Sequence, residues 1–100
     1  MEYGLDDSDM KLMQQIFSQV GNIEKVLLYG SRAKGTNKAF SDIDITLVGD
    51  RLTDSNLMDV MSSLSESSLP YFCDVSLYKN ITNPALLSHI ERRGKVIYRA

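Results

Sequence analysis

Two aspartates separated by one residue, Asp42 and Asp44, are the side chains of this sequence best suited to chemistry. The residues from Ile43 to Val48 alternate between apolar and polar, a pattern typical of a strand with two different faces. Because alternate residues of a strand point to the same side, the two carboxylates share a face, with Cα atoms about 6.6 Å apart. Carboxylates arranged in this way suit hard divalent cations such as Mg²⁺.

A glycine and a serine, Gly30 and Ser31, follow the apolar run Lys25 to Tyr29, which predicts a buried strand. A glycine lets the backbone approach an anion closely, and a following turn directs free N–H groups toward that anion. Arg32 and Lys34 add positive charge nearby, and they fit either phosphate ligands or ordinary surface cations. Together these residues predict a cradle for the phosphates of a nucleoside triphosphate.

A third carboxylate, Asp74, lies on the polar face of another alternating stretch, Cys73 to Tyr78. A neighbouring strand would bring Asp74 to within about 4.8 Å laterally of the first pair. Three such carboxylates are able to hold two Mg²⁺ ions about 3.5 to 4 Å apart, one activating an attacking oxygen and one stabilising a leaving pyrophosphate. A single strand aspartate is more often a solvated surface residue, so this interpretation depends on the strand order.

A competing phosphate motif, the P-loop, shares the spacing of Gly30 and Gly35. A P-loop requires Lys and then Ser or Thr directly after the second glycine. Here Thr36 and Asn37 follow, so the lysine that reaches the β and γ phosphates is absent. The P-loop interpretation is therefore excluded.

Three helices and a further strand are predicted around these residues by apolar periodicity and capping residues. The first helix has Asp7 or Ser8 as its N-cap and runs to Val20. The second is capped between Thr53 and Ser55 and runs through Leu64, and the third has Asn83 as N-cap, Pro84 at its first position and Arg93 in its last turn. The strand extends from Val96 to Tyr98. Met1 to Asp7 resembles a loose lead-in, and His89 is expected at the surface or in a partner contact. This order predicts an α/β (α+β) fold, a small mixed β-sheet packed with helices.

The composition limits the class of protein. A chain of 100 residues suits one domain over residues 1–100, too small for a separate acceptor-binding domain. The net charge of -2 gives no electrostatic case for direct nucleic-acid or membrane binding, and no apolar run approaches membrane-spanning length. Cys73 is the single cysteine, which excludes an intrachain disulfide and favours a cytoplasmic protein.

The spacing of the candidate residues resembles a known family. Gly30 and Ser31, ten intervening residues, Asp42 and Asp44, and the later Asp74 are similar to the motif of the minimal nucleotidyltransferases of the DNA polymerase β superfamily. The resemblance implies a polymerase β-like fold in which Gly30 and Ser31 bind triphosphate and the three aspartates ligate Mg²⁺. It also implies that Asp74 orients the acceptor hydroxyl as a base.

The same resemblance implies transfer of AMP from ATP to a hydroxyl group. In the best-fitting subgroup the acceptor is a tyrosine of a helical HEPN-domain toxin, so the chain would be the antitoxin of a toxin–antitoxin pair. Two alternatives stay open: an antitoxin that inhibits its partner by binding alone, and nucleotidyl transfer to a small molecule whose acceptor site comes from a partner subunit.

Overall fold

The computed structural model describes residues 2–100. The described chain contains the helices α1 (Asp7–Ser18), α2 (Ser31–Lys34), α3 (Asp54–Glu66) and α4 (Pro84–Arg93), the strands β1 (Lys25–Tyr29), β2 (Ile43–Val48), β3 (Cys73–Leu77) and β4 (Lys95–Arg99), and a 3₁₀ turn at Tyr78–Asn80. Their order along the chain confirms the predicted order of elements. None of the helices between residues 2 and 100 is long and apolar enough to cross a membrane.

The four strands form one mixed sheet in the order β3-β2-β1-β4. Strand β1 runs antiparallel to both β2 and β4, whereas β2 and β3 run parallel. A parallel pair needs a crossover connection, and α3 supplies it between β2 and β3. The predicted α/β (α+β) fold with a small mixed sheet is confirmed.

The first helix begins one residue earlier than predicted. Its N-cap is Asp6 and not Asp7 or Ser8, because the Asp6 carboxylate accepts from the Asp9 N–H at 2.9 Å while the Asp9 side chain accepts from the Asp6 N–H. This reciprocal capping box fixes the start of the helix. The predicted caps Thr53 and Asn83 are confirmed, each side chain accepting from backbone N–H groups of the following turn.

The residues before α1 are not a loose lead-in. The Leu5 N–H donates to the Glu2 carbonyl at 2.9 Å, and the turn between them places Tyr3 and Gly4 at φ 59° and 73°. The Leu5 side chain is only 2% exposed and belongs to the core. The prediction is wrong because one buried leucine anchors the segment; Met1 lies outside the described residues.

The two faces of the sheet have different environments. Helices α1 and α3 contact each other and the core face, which is formed by the buried side chains Val26, Leu28, Ile43, Ile45, Leu47, Val75 and Leu77. The alternate residues, including Asp44 and Asp74, point to the opposite face. Helix α4 contacts β1, and its buried Ile90 lines a cavity shared with Leu27. The carboxylates therefore lie on a face that is only partly covered.

Candidate functional site

The strand register brings three side chains into one row. Asp44 in the central strand β2 pairs with Tyr29 of β1 on one side and with Asp74 of β3 on the other. Directly paired residues of neighbouring strands share a face. The predicted adjacency of Asp74 to the first aspartate pair is confirmed by this register.

The carboxylates of this row act on one another electrostatically. Partial burial raises the pKa of the Asp44 carboxyl, and the carboxylates of Asp74 and Asp42 raise it further, whereas His89 acts in the opposite direction. Asp42 is exposed and lies one residue before β2, and Asp74 is exposed on the outer strand β3. The site thus concentrates negative charge that a cation would offset.

The row also contains a phenol. Burial raises the pKa of Tyr29, the Ser76 hydroxyl lowers it, and the Asp74 and Asp44 carboxylates raise it again. The raised pKa keeps the Tyr29 phenol neutral at physiological pH. Its hydroxyl lies near Ser76, whose own hydroxyl donates to Oγ1 of the buried Thr46 at 3.0 Å.

Carboxylate oxygens are the donors that Mg²⁺ prefers, so the chemistry of Asp42, Asp44 and Asp74 fits a hard divalent cation. Across residues 2–100, however, no three side chains of His, Cys, Asp or Glu converge as a preformed metal site. The three-aspartate metal site stays a prediction.

Gly30 joins β1 to the short helix α2 in a conformation reserved for glycine. Its φ is 77° and its ψ is -156°, a region that residues with a Cβ rarely adopt. A Cβ at this position would also overlap Oδ2 of Asp44. The glycine is thus required both by the backbone and by the closeness of the carboxylate.

The turn after Gly30 is held by local hydrogen bonds. The Lys34 N–H donates to the Gly30 carbonyl at 3.2 Å, and the Thr36 N–H donates to the Ser31 carbonyl at 3.0 Å. As in any helix, the first N–H groups of α2 have no acceptor within the helix. The backbone beside Ser31 can therefore donate to an anion that lies next to Asp44.

Arg32 lies in the interior and not at the predicted phosphate site. Its side chain is 1% exposed, and its Nε and Nη2 donate to the Ser41 carbonyl at 3.1 and 2.7 Å. Its Nη1 donates to the Tyr3 carbonyl at 2.8 Å, and the guanidinium lies 4.4 Å from the Tyr71 ring centroid. Because these contacts use the guanidinium, we correct its role from phosphate ligand to a link between the N-terminal turn and the residue before Asp42. Lys34, by contrast, is exposed.

His89 is the residue of this region that sequence reasoning missed. It is half-buried on α4, its Nε2 accepts from the Gly30 N–H at 3.0 Å, and its ring meets Tyr29 edge-on at 6.2 Å between centroids. The helical pattern of α4 shows which residues are apolar, but it does not show which strand end the helix covers. No signal in the sequence could have placed His89 beside Gly30.

The family model for polymerase β nucleotidyltransferases matches residues 11–100. The match covers most of the chain, so the protein belongs to the polymerase β nucleotidyltransferase family. No curated protein matches the sequence.

Solved structures share the fold at low sequence identity. A toxin–antitoxin crystallised with AMP-PNP is similar with a TM-score of 0.70 and 21% identity, over 96% of this chain and 75% of that chain. A complex of a tri-AMPylated Shewanella oneidensis HEPN toxin with its MNT antitoxin has a TM-score of 0.64 and 17% identity, over 92% and 70%. The toxin–antitoxin MntA-HepT has a TM-score of 0.66 and 16% identity, over 95% and 74%. The chain therefore has the fold found in antitoxin nucleotidyltransferases.

Proposed function

We propose that this chain is a Mg²⁺-dependent nucleotidyltransferase of the cytoplasm, a single minimal domain over residues 1–100. It transfers AMP from ATP to a tyrosine hydroxyl of a HEPN-domain toxin and thereby acts as an antitoxin. The observation that carries the proposal is the register of Asp44 with Asp74 next to Gly30. Family membership and the AMPylated toxin in one similar complex support the choice of reaction.

The bond changes of this reaction are few. The acceptor oxygen forms a bond to the α phosphorus of ATP, the bond from that phosphorus to the bridging oxygen breaks, and pyrophosphate leaves. In this proposal the exposed carboxylate of Asp74 takes the hydroxyl proton as a base. The protein needs no covalent nucleophile, since positioning and charge stabilisation are sufficient for such a transfer.

The residues around Gly30 position the triphosphate in this proposal. The backbone of Gly30 approaches the phosphates, Ser31 donates from its N–H and hydroxyl, and the exposed Lys34 offers positive charge. Asp42, Asp44 and Asp74 would hold Mg²⁺. When bound, the metal supplies positive charge to the phosphates and lowers the pKa of an attacking oxygen.

The acceptor reaches the site from the outer strand. Strand β3 lies at the edge of the sheet, so Asp74 is open to a second protein. Phe72 and Phe40 are 68% and 85% exposed, and each lies two residues before one of the aspartates. Exposed aromatic side chains are enriched in protein interfaces, which supports a protein as acceptor in preference to a free small molecule.

The proposal is tested with α-labelled ATP, Mg²⁺ and a candidate HEPN-domain partner. We expect label on the partner, lost in Asp42→Asn and in Asp44→Asn and retained in Asp59→Asn, whose side chain is exposed on α3. Mass spectrometry should show that the mass of the partner increases by that of an adenylyl group and not by that of a phosphoryl group. Absence of any transfer by the wild type, with partners that it binds, contradicts the proposal.

Stoichiometric inhibition is the second candidate, because the exposed Phe40 and Phe72 would equally suit an antitoxin that acts by binding alone. It predicts that Asp42→Asn combined with Asp44→Asn neutralises the partner as well as the wild type does. The catalytic proposal predicts that this double variant binds the partner but leaves it active. A toxicity assay with matched expression of both proteins distinguishes the two.

A further inference from the structure

The side chain of His89 joins α4 to the glycine of the candidate phosphate turn by a hydrogen bond. The Gly30 N–H donates to Nε2 of His89 at 3.0 Å, across 59 positions of sequence. Nε2 is the acceptor of this bond, and an imidazole nitrogen accepts a hydrogen bond only while it carries no proton. The half-buried ring also contacts Tyr29 edge-on, so neighbouring side chains hold it in place.

The bonded amide belongs to the residue with the greatest backbone freedom in the turn. Glycine adopts positive and negative φ almost equally well, so sequence alone does not fix the conformation of Gly30. The peptide between Tyr29 and Gly30 can rotate unless something fixes its N–H direction. His89 supplies that acceptor, at the position where the chain leaves β1 and enters α2.

The orientation of this peptide determines where the following backbone lies. Ser31 begins α2 directly after Gly30, and its donors must point away from the strand while Gly30 stays close to Asp44. A rotation at Gly30 would move those donors relative to the carboxylate. Donors that are held in place before the ligand arrives bind it more tightly than donors that must first be ordered.

We infer that His89 is a positioning residue that locks Gly30 in the conformation required for triphosphate binding. The inference rests on the proposed nucleotidyltransferase function. It assigns to His89 no contact with ATP, and it predicts that the residue acts on nucleotide binding more than on the chemical step.

Two substitutions separate the hydrogen bond from the volume of the ring. His89→Leu keeps an apolar side chain but removes the acceptor, and we expect it to raise the KM for ATP about five- to tenfold with kcat within about twofold. His89→Gln keeps an acceptor at a similar reach, and we expect it to restore KM to within about twofold of the wild type.

A matched control removes a comparable bond elsewhere. Nε2 of Gln14 donates to the Ile97 carbonyl at 3.0 Å, and this bond joins α1 to β4 away from Gly30. Gln14→Leu should therefore change thermal stability to a similar degree as His89→Leu while leaving the KM for ATP unchanged. An equal rise of KM in both variants would show a general effect of stability and would overturn the inference.

A measurement on the free protein does not depend on activity. Amide hydrogen exchange by NMR should be faster at Gly30 in His89→Leu than in the wild type and should return toward the wild-type rate in His89→Gln. An unchanged rate in His89→Leu overturns the inference, and so does a faster rate with unchanged KM.

If the wild type transfers no AMP, the dissociation constant for ATP with Mg²⁺ replaces KM in the same comparison. An effect of His89→Leu on ATP binding can then be measured even if the protein transfers no AMP. Absence of ATP binding by the wild type would overturn both.

Discussion

The Cα of Gly30 faces the carboxylate of Asp44 with no room for a side chain between them. A Cβ on Gly30 would overlap Oδ2 of Asp44 and would lie 3.1 Å from its Cγ. Gly35 has nearly the same φ, 78°, but open space around the same position. The two glycines therefore separate the effect of backbone conformation from the effect of crowding.

Gly30→Ala should destabilise the fold more than Gly35→Ala. Backbone strain alone should cost about 1 to 2 kcal/mol at Gly35, whereas Gly30 lies in a less accessible region and also meets Asp44. Urea denaturation measures both free energies of unfolding. The destabilisation by Gly30→Ala should exceed that by Gly35→Ala, and this difference should become smaller when Asp44 is also replaced by Ala. If the difference does not change, Asp44 is not its source.

Asp44→Asn should stabilise the protein at neutral pH while removing activity. The raised pKa of Asp44 means that the folded state binds a proton more tightly than the unfolded state. Its contribution to stability is present below the unfolded pKa of about 3.9 and is lost as pH rises through the raised folded pKa. Because solvent screens the partly exposed carboxylate, Asp44→Asn should increase the free energy of unfolding at pH 7 by less than about 1 kcal/mol.

Thermal unfolding from pH 3 to pH 7 measures this effect. The advantage of Asp44→Asn over the wild type should be absent at pH 3 and should grow above the unfolded pKa of Asp44. Asp59→Asn, at an exposed position of α3, serves as the control for the same chemical change. A wild type that is more stable than Asp44→Asn at pH 7 would contradict the prediction.

Arg32→Met should lower the stability of the fold, whereas Lys34→Met should weaken ATP binding. Removal of the buried Arg32 guanidinium leaves the partly buried carbonyls of Ser41 and Tyr3 without their donor, which should cost roughly 2 to 4 kcal/mol. Because Lys34 is exposed, Lys34→Met should lower the free energy of unfolding by less than about 0.5 kcal/mol. The loss of its positive charge should nevertheless raise the KM for ATP. Urea denaturation and steady-state kinetics of both variants provide the comparison.

Cys73 should react slowly with thiol reagents. Burial raises the pKa of its thiol to about 11, two units above the value of 9.0 for an unperturbed cysteine. Because the thiolate is the nucleophile, alkylation by iodoacetamide at pH 8 should be about 100-fold slower in the folded protein than in urea. Mass spectrometry of timed samples measures both rates, and equal rates would show that the thiol is not protected.

The sequence was informative where local periodicity determines structure. Alternation from Ile43 to Val48 correctly placed Asp44 opposite the core, and a second alternation placed Asp74 on the same face of a neighbouring strand. Strands of this kind are recognisable because one face must be apolar to be buried.

Residues whose roles depend on distant contacts were not predictable. The charge of Arg32 suggested an exposed side chain, yet its acceptors lie 9 and 29 positions away and compensate for its burial. The partner of His89 is 59 positions away. Neither contact leaves a local pattern, because both arise only after strands and helices have packed together.

The parallel pairing of β2 with β3 has a consequence for the order in which the protein folds. Tyr29 and Asp44 lie on antiparallel neighbours joined by a short connection, whereas Asp74 joins them only after the chain has crossed over through α3. Closing a longer loop costs more entropy before its contacts form, so we expect the β1–β2 pair to form first.

This order can be measured by refolding kinetics. Leu28→Ala in β1 should slow refolding, and Val75→Ala in β3 should chiefly accelerate unfolding. Chains that have not yet completed the crossover would then hold ordered strands but separated carboxylates. Newly synthesised protein would gain its candidate active site only after β3 has paired with β2.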